Sequence, residues 1–449
     1  MRHMLDSEWN LGVYSMLDVA ESANGAQFTR LTLGAEALGE DFDIRANAYL
    51  GLGAAAVELP HLLTASISGS HIVLTPTIEE MLQGFDAELG WRVPVFDSDS
   101  GSQIRAYAGG YHLASPSQAR NGGHLRLELT TTEIASLGGA QLGLGGGLGQ
   151  DNVMGTSAFA SVSLRVPLGG AGQSAGGGNS QYQRMTTPFS RAEDIAVTQV
   201  SGPSEIAQTA SGQAVTVLSD TAFGGGDLQN QLIAAGTNST VVFVGDFTTS
   251  APLQLQQGQT VQGAGAMEVR TASGKRLSVS LPGASVTGNF AGNLGRFEMA
   301  DDSTLKGMTV GGTGTAFGSN PIGIYANNVS NAAIIDNIVS MTSTEGTAFG
   351  IRVQGSTNVL VDGNVVTATH PTANAVGIQL VGGSARISNN VATANGGSNS
   401  YAYFLVDDAG IAPMVLAGST GNANLGGTCI VNTGTVHGVI EMVDGTSCP

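Results

Sequence analysis

The sequence predicts an all-β protein in which an N-terminal antiparallel β-barrel of the transmembrane type is followed by a C-terminal right-handed parallel β-helix. Three observations favour this fold class. Apolar and polar residues alternate with period two in the first third of the chain, a regular repeat occupies part of the second half, and the composition is rich in Gly and poor in charge. Period two is the spacing of a β-strand, and a repeat of roughly 20 to 50 residues is typical of a solenoid.

The composition limits the number of folding units and the kinds of partner that the chain can have. The chain has 449 residues, which is enough for two or more folding units. Charged residues make up 12% of it, about half the usual share, and its 66 Gly residues are roughly twice the ordinary number. The 17 Lys and Arg against 35 Asp and Glu give a net charge of −18, which repels phosphate backbones. We therefore expect no nucleic-acid partner.

The first third of the chain has the pattern of strands with one apolar face. From Phe42 to Leu52, apolar residues occupy every second position, with Asp43 and Arg45 among the residues between them. The alternation returns around residues 85–95 and 125–129. A membrane barrel needs this pattern, because its outer face meets lipid and its inner face lines a wet lumen. Periodicity alone leaves a soluble antiparallel sandwich open, since its strands also alternate.

The N-terminus lacks the apolar core of a signal peptide, and no run of about 18 apolar residues predicts a spanning helix. Taken alone, this pattern indicates a soluble protein. We interpret it instead as a missing start, because barrel strands cross a membrane without any long apolar run.

Five stretches of the first third also carry a family resemblance: LTLGAEALGEDFDIRANAYLGLG (31–53), GFDAELGWRVPVFD (84–97), IRAYAGGYHL (104–113), HLRLEL (124–129) and SVSLRVPL (161–168). Over residues 8–168 they resemble, in order, the β-domain of inverse autotransporters, the intimin and invasin family. The resemblance implies an outer-membrane barrel at 1–168, a linker through the pore at 169–195 and a passenger outside the cell at 196–449. The strands that can be counted are fewer than the family has, so it stays open whether the first strands are absent from this chain.

The second half repeats with a fixed period. GIYA begins at Gly323, GIRV at Gly350 and GIQL at Gly377, and both 350 − 323 and 377 − 350 equal 27. Short β-branched runs broken by Gly and Asn at such a period predict a parallel β-helix. We expect the isoleucine after each of these glycines, at 324, 351 and 378, to stack in one column inside the solenoid.

One Asn recurs in each period, at Asn337, Asn364 and Asn390. We interpret these residues as a structural ladder in which stacked amides bond one another and the backbone, in preference to a row of ligand-binding groups. Asp336 and Asp362 lie beside this row. They could bind calcium, but the sequence supplies fewer oxygen donors than such a site usually needs.

A cap is predicted before the first coil. DLQNQLIAAG (227–236) has a helical pattern and TVVFVGDF (240–247) has that of a strand. With LQLQQGQTVQGAG (253–265), these segments resemble the N-terminal entry of right-handed β-helix proteins of the pectate-lyase-like group. The resemblance runs from about 213 to 449, is architectural and carries no catalytic motif.

We assign no catalytic residue, no metal ligand and no cofactor. Arg352 and Asp362 are ten residues apart in one repeat and are expected on different sheets, so no acid–base constellation converges. His370 and His437 are interpreted as surface residues. Cys429 and Cys448 could form a disulfide in an oxidising compartment, and the spacing leaves this open.

The predicted function is that of a cell-surface protein. We expect the chain to lie in a bacterial outer membrane with its β-helix extracellular, and to serve adhesion or surface binding. Its expected partners are outer-membrane lipid and a host or environmental surface glycan or protein. A displayed polysaccharide lyase or hydrolase is the alternative, and a soluble all-β protein without a membrane role is the third hypothesis.

Overall fold

A computed structural model describes residues 1–5, 8–97, 101–134, 140–166, 181–185, 187–223, 227–290, 292–316, 318–432 and 435–448. The chain forms two compact units. One comprises Met1–Leu63 with Pro76–Pro203, and the other comprises Thr64–Thr75 with Ser204–Pro449. The predicted all-β class is confirmed. In the described part of the chain, no helix combines the length and the apolar character needed to span a bilayer.

The first unit is built from long antiparallel strands. In chain order the first eleven strands are β1 (Arg2–Leu5), β2 (Trp9–Glu21), β3 (Gln27–Gly39), β4 (Phe42–Leu52), β5 (Ala56–Ser68), β6 (His71–Met81), β7 (Gln83–Val93), β8 (Ser102–Ala114), β9 (Ala119–Ile134), β10 (Ala140–Asp151) and β11 (Gly155–Arg165). Nine of them form one sheet in the order β1-β2-β3-β4-β7-β8-β9-β10-β11. The strand predicted from Phe42 to Leu52 is β4 itself.

Consecutive antiparallel strands reverse direction, so their connections sort to the two ends of this sheet. The connections 22–26, 53–82, 115–118 and 152–154 lie at one end, which we call the hairpin end because the β5–β6 hairpin belongs to it. The turn at 40–41 lies at the opposite end. β6 also pairs with the two strands that follow residue 195.

The rest of the chain is made of short elements: α1 (Gln181–Arg184), β12 (Val197–Ser201), β13 (Glu205–Ile206), β14 (Gln208–Thr209), β15 (Val215–Ser219), α2 (Leu228–Ala235), β16 (Thr240–Thr248), β17 (Leu253–Gln254), β18 (Thr260–Gln262), β19 (Ala264–Arg270), β20 (Arg276–Pro282), β21 (Ala284–Thr287), β22 (Asn289–Phe290), β23 (Gly295–Glu298), β24 (Thr304–Lys306), β25 (Met308–Gly314), β26 (Ile322–Asn327), β27 (Ala333–Ile335), β28 (Ile338–Ser343), β29 (Ala348–Gln354), β30 (Val359–Asp362), β31 (Val365–His370), β32 (Ala375–Val381), β33 (Ser384–Ser388), β34 (Val391–Gly396), β35 (Ser400–Val406), β36 (Met414–Val415), β37 (Ala423–Gly426), β38 (Thr428–Asn432), β39 (Ile440–Glu441) and β40 (Ser447–Cys448).

These elements form a right-handed, parallel β-helix-like solenoid of about eight turns, as predicted. Each regular coil gives one strand to each of three faces. The coils β26-β27-β28, β29-β30-β31 and β32-β33-β34 repeat this pattern, and every strand pairs in parallel with its equivalent in the next coil. The predicted helix and strand of the entry segment are α2 and β16.

The predicted isoleucine column is confirmed. Ile324 pairs with Ile351 and Ile351 with Ile378, and all three side chains are buried. The column continues at Phe297 on one side and at Tyr403 on the other. Equivalent apolar or aromatic side chains of neighbouring coils therefore stack on one another in the core, as in other solenoids.

The bend between the second and third faces explains the repeated Asn and Gly. The residue before each ladder asparagine has a left-handed backbone, with φ of 53° at Asp336, 68° at Gly363 and 56° at Asn389. Gly, Asn and Asp tolerate this conformation best, since other side chains crowd the following carbonyl. Each repeat thus keeps a residue that tolerates a left-handed backbone at this bend, as well as an apolar residue in the core.

Candidate functional site: a charged sheet face and the segment that crosses it

The nine-stranded sheet reverses the usual distribution of apolar and charged residues. Leu89 is 62% exposed and Val162 is 74% exposed, whereas Thr32 is 0% and Asp43 is 1% exposed on the other face. The remaining exposed apolar residues of the same pattern include Val13, Leu17, Ile44, Phe85, Leu125, Leu148 and Leu164. Charged groups are seldom buried in a soluble protein unless they are paired, and large exposed apolar surfaces mark an interaction site.

Several of the buried charges form two paired clusters, around Asp43 and around Glu88. Asp43 lies 3.2 Å from Arg105, 3.6 Å from Arg45 and 2.6 Å from Arg184. Glu88 lies 3.1 Å from Arg45, so Arg45 joins the two clusters. Two further side chains contact Glu88, namely the His124 ring at 3.2 Å and the Arg126 guanidinium at 2.7 Å. Removing Asp43 would take away the carboxylate that Arg105 and Arg184 share, and leaving buried charges without compensation is strongly destabilising.

A segment that follows the sheet in sequence crosses this charged face. It begins with α1, where Gln181 accepts a hydrogen bond of 2.7 Å from Asn10 through its carbonyl oxygen. Arg184 donates to both carboxylate oxygens of Asp43 and to the carbonyl of Gly39, at the end of the sheet opposite the hairpin end. The segment therefore starts at that opposite end.

The middle of the segment is held by side chains of β2 and β4. The carbonyl of Ser190 accepts from the Tyr14 hydroxyl at 3.0 Å and from the Asn47 amide at 3.2 Å. The backbone N–H of Ala192 donates to the Tyr49 hydroxyl at 2.9 Å. The Tyr14 ring also packs on Phe189, with 4.2 Å between ring centroids.

The segment ends at the hairpin end. Arg30 donates to the carbonyls of Ala192 and Asp194 at 2.7 and 2.8 Å. The backbone N–H of Leu82 donates to the carbonyl of Ala196 at 2.8 Å, and β12 then pairs with β6. The described part of 181–195 thus runs along the charged face from one end of the sheet to the other.

The predicted linker 169–195 can be compared with this path only in part. Residues 169–180 lie outside the described residues, as does Leu168 at the boundary of the predicted barrel. The described residues 181–185 and 187–195 belong to the first unit, which extends to Pro203. A cavity of about 430 Å³ remains on the charged face and is lined by Glu88, Tyr111 and Arg191 among others.

In the solenoid, the three predicted asparagines form a fully buried chain of hydrogen bonds. The amide of Asn337 donates to Asn364 Oδ1 at 3.0 Å, and that of Asn364 donates to Asn390 Oδ1 at 2.9 Å. The chain continues to Asn422 at 3.2 Å. The repeat did not predict this residue, because it lies 32 positions after Asn390, whereas 27 and 26 positions separate the three predicted asparagines. Each amide also donates to a backbone carbonyl, for example that of Leu305.

Cys429 and Cys448 are joined by a disulfide, with 5.6 Å between their Cα atoms. Cys429 pairs with Tyr403 and so continues the buried column that contains the isoleucines. Cys448 is buried on β40, which pairs with β39. The disulfide therefore ties the last described strand to the end of the core column.

Arg352 lies on β29 and Asp362 on β30, which belong to different sheets as predicted. Asp362 accepts hydrogen bonds from Ser388 and Asn389 of the next coil, so it supports coil stacking. In the part of the chain that the structure describes, no three His, Cys, Asp or Glu residues are placed to hold a metal ion.

The interpretation of His370 as a surface residue was wrong. Its side chain is 2% exposed, and its Nδ1 accepts hydrogen bonds from the backbone N–H groups of Thr372 and Ala373. The ring therefore holds the turn that follows β31. His437 is exposed.

Comparisons of the chain with protein-family models, curated proteins and solved structures found no match. The feature with the clearest physical meaning is the reversed sheet with a peptide segment along its charged face.

Proposed function

We propose that the first unit is an outer-membrane β-barrel of the inverse autotransporter type, and that the chain displays its β-helix outside the cell for adhesion or surface binding. The supporting observation is the nine-stranded sheet, whose apolar face is exposed and whose charged face is covered by residues 181–195. The partners in this proposal are outer-membrane lipid and a surface glycan or protein.

The distribution of side chains supports the membrane part of the proposal. A hydrocarbon environment stabilises exposed Leu, Val and Phe side chains, and it excludes charges unless they face an interior that is wet or filled with protein. In the proposed barrel, the clusters around Asp43 and Glu88 lie in the lumen. The apolar side chains of the same strands then face lipid.

The path of residues 181–195 supports the display part. The segment begins beside Gly39 and ends beside Leu82, so the chain leaves the charged face at the hairpin end. In the proposal the hairpin end is extracellular, and the chain continues there into the solenoid. The ion pairs along the segment would then hold the linker in the lumen after secretion.

The adhesive role is supported by the regular surface of the solenoid. Many outward positions of the regular coils hold Ser, Thr, Asn or Gln, next to the exposed Ile338 and Val365, and the carboxylate of Asp362 is engaged between coils. A long face of Ser, Thr, Asn and Gln can hydrogen-bond glycans or proteins. The same face supplies few groups that could act as a general base.

The test is expression of the chain behind a secretion signal, with an epitope tag after Pro449. We expect the protein in the outer-membrane fraction after a urea wash, and we expect the tag on intact cells to be accessible to antibody. A tagged chain that stays soluble in the periplasm would contradict the membrane proposal. Display without any gain in cell adhesion to glycan-coated or protein-coated surfaces would contradict the adhesive role alone.

A further inference from the structure

β15 is the strand at which the solenoid begins, and a first strand has an edge without a preceding coil. On one side β15 pairs in parallel with β16. Leu218 faces the solenoid core, and Val215 and Val217 on the other face of the strand are buried as well. An uncovered first edge would be free to pair with another chain.

The tip of the β5–β6 hairpin closes this edge. The carbonyl of Ser70 accepts a hydrogen bond of 2.8 Å from the backbone N–H of Val217. The carbonyl of Ile72 accepts one of 2.8 Å from Ala207, and β13 pairs antiparallel with the neighbouring residues of β6. Ile72 is buried, so the tip contributes apolar surface as well as backbone hydrogen bonds.

The partners along β6 follow the order of the chain. Starting from Leu82, the residue after β6, and moving back along β6, the paired residues contact successively later parts of the segment after residue 195. The successive contacts are Leu82 with Ala196, Met81 to Thr77 with Val197 to Ser201, Pro76 with Gly202, Leu74 and Val73 with Glu205 and Ile206, and Ile72 with Ala207. β6 and Leu82 thus pair in antiparallel order with the segment from Ala196 to Ala207, and the register shifts by one position between Gly202 and Glu205.

We propose that β6 is a folding template for the solenoid. The chain leaving residue 195 pairs along β6 one residue after another, and the tip at 64–75 then holds the edge of β15 on which the next coils add. Solenoids fold by growth from a nucleus to its neighbours, and pairing that begins next to residue 195 avoids closing a long loop first. The inference concerns folding and holds in micelles as in a membrane, so its outcome is separate from that of the display experiment.

The first test is kinetic and uses the full chain refolded in detergent micelles. Resistance of the solenoid to a protease pulse reports its folding. We expect Ile72→Ala and Leu74→Ala to slow refolding at least tenfold and to leave the unfolding rate within about twofold, because a template acts in the transition state. Ile378→Ala, in a later coil, should mainly accelerate unfolding, and His71→Ala, exposed on the same strand, should change neither rate.

Faster unfolding with unchanged refolding in Ile72→Ala and Leu74→Ala would show that the tip is only a cap, and would overturn the template inference.

A second variant covers the case in which these chains fail to refold. The hydroxyls of Thr75 and Ser204 lie 2.7 Å apart although 129 residues separate them in sequence. Thr75→Cys with Ser204→Cys, crosslinked before denaturation, should refold at least threefold faster than the wild type treated identically. Unchanged or slower refolding of the crosslinked chain would contradict the template.

Discussion

A matched pair of substitutions on β11 tests whether the exposed apolar face meets lipid. Val162 and Ser161 are neighbours on this strand, both are exposed, and they point to opposite faces of the sheet. Val162 belongs to the apolar face, whereas Ser161 lines a cavity of about 500 Å³ on the charged face. In water, arginine at either position would be tolerated equally, since surface substitutions usually change stability by less than about 0.5 kcal/mol.

In a bilayer the two substitutions differ. Arginine on the lipid face costs about 2 to 4 kcal/mol at the midplane and less toward the interfaces. Val162 lies two residues from the middle of β11, so we expect Val162→Arg to lower the free energy of unfolding by about 2 kcal/mol, a roughly 30-fold change in the ratio of folded to unfolded protein. Ser161→Arg should change it by less than about 0.5 kcal/mol, because Ser161 is exposed beside a cavity lined largely by polar side chains, so that its guanidinium would not enter hydrocarbon.

The assay is urea unfolding in liposomes, followed by the shift in gel mobility between heated and unheated samples. The same pair in detergent micelles is the control, since micelles adapt to a charge more easily than a bilayer does. Equal midpoints for Val162→Arg and Ser161→Arg in liposomes would refute the assignment of the apolar face to lipid.

Four further predictions concern the solenoid. Ile351→Ala should lower the free energy of unfolding by about 2 to 5 kcal/mol in chemical denaturation, because a column residue loses contacts with both neighbouring coils. Asn364→Ala should lower it by about 3 kcal/mol, since a buried N–H and a buried carbonyl lose their partners; a loss below 1 kcal/mol would mean that the ladder is dispensable. Cys448→Ser should lower it by about 3 kcal/mol, and an equal midpoint with and without reductant in the wild type would contradict a structural role of the disulfide. Hydrogen bonds from Lys275 and a neighbouring serine lower the pKa of Glu205 from 4.5 to about 2, so its stabilising contribution is present above pH 4.5 and is lost as the pH falls from 4.5 toward 2. Glu205→Gln should remove that part of the acid dependence of the unfolding midpoint, and an unchanged pH profile would contradict it.

Much of the fold could be predicted because both patterns in the sequence are local. Apolar and polar residues alternate along β4 because one face of the strand is apolar and the other is polar. This pattern can be read within the strand itself, and the strand forms at the predicted residues. The 27-residue interval between Gly323, Gly350 and Gly377 places equivalent residues in register, so the isoleucine column followed directly. The same reasoning missed Asn422, since an insertion between coils changes the interval without changing the position in the coil.

The remaining features depend on contacts between distant parts of the chain. Nothing near His370 in sequence shows that its ring turns into the corner between two faces and holds the following turn. Residues 64–75 belong to the solenoid unit although more than one hundred residues separate them from it. Such an arrangement arises from pairing with β13, which periodicity cannot reveal. The ion pairs around Asp43 also combine three distant segments, so the sequence indicated charges on one face but no partners.

The repeated register of β26, β29 and β32 makes the length of the solenoid adjustable. A strand of one coil presents to the next coil the same hydrogen-bonding edge that it received from the previous one. Duplicating residues 350–376 would therefore insert a whole coil with the isoleucine column and the asparagine chain continuous across both new junctions. The insertion would extend the reach of the solenoid by about 4.8 Å, the distance between neighbouring strands. Duplication of such a segment in the gene would thus lengthen the solenoid one coil at a time, and no new core would have to evolve.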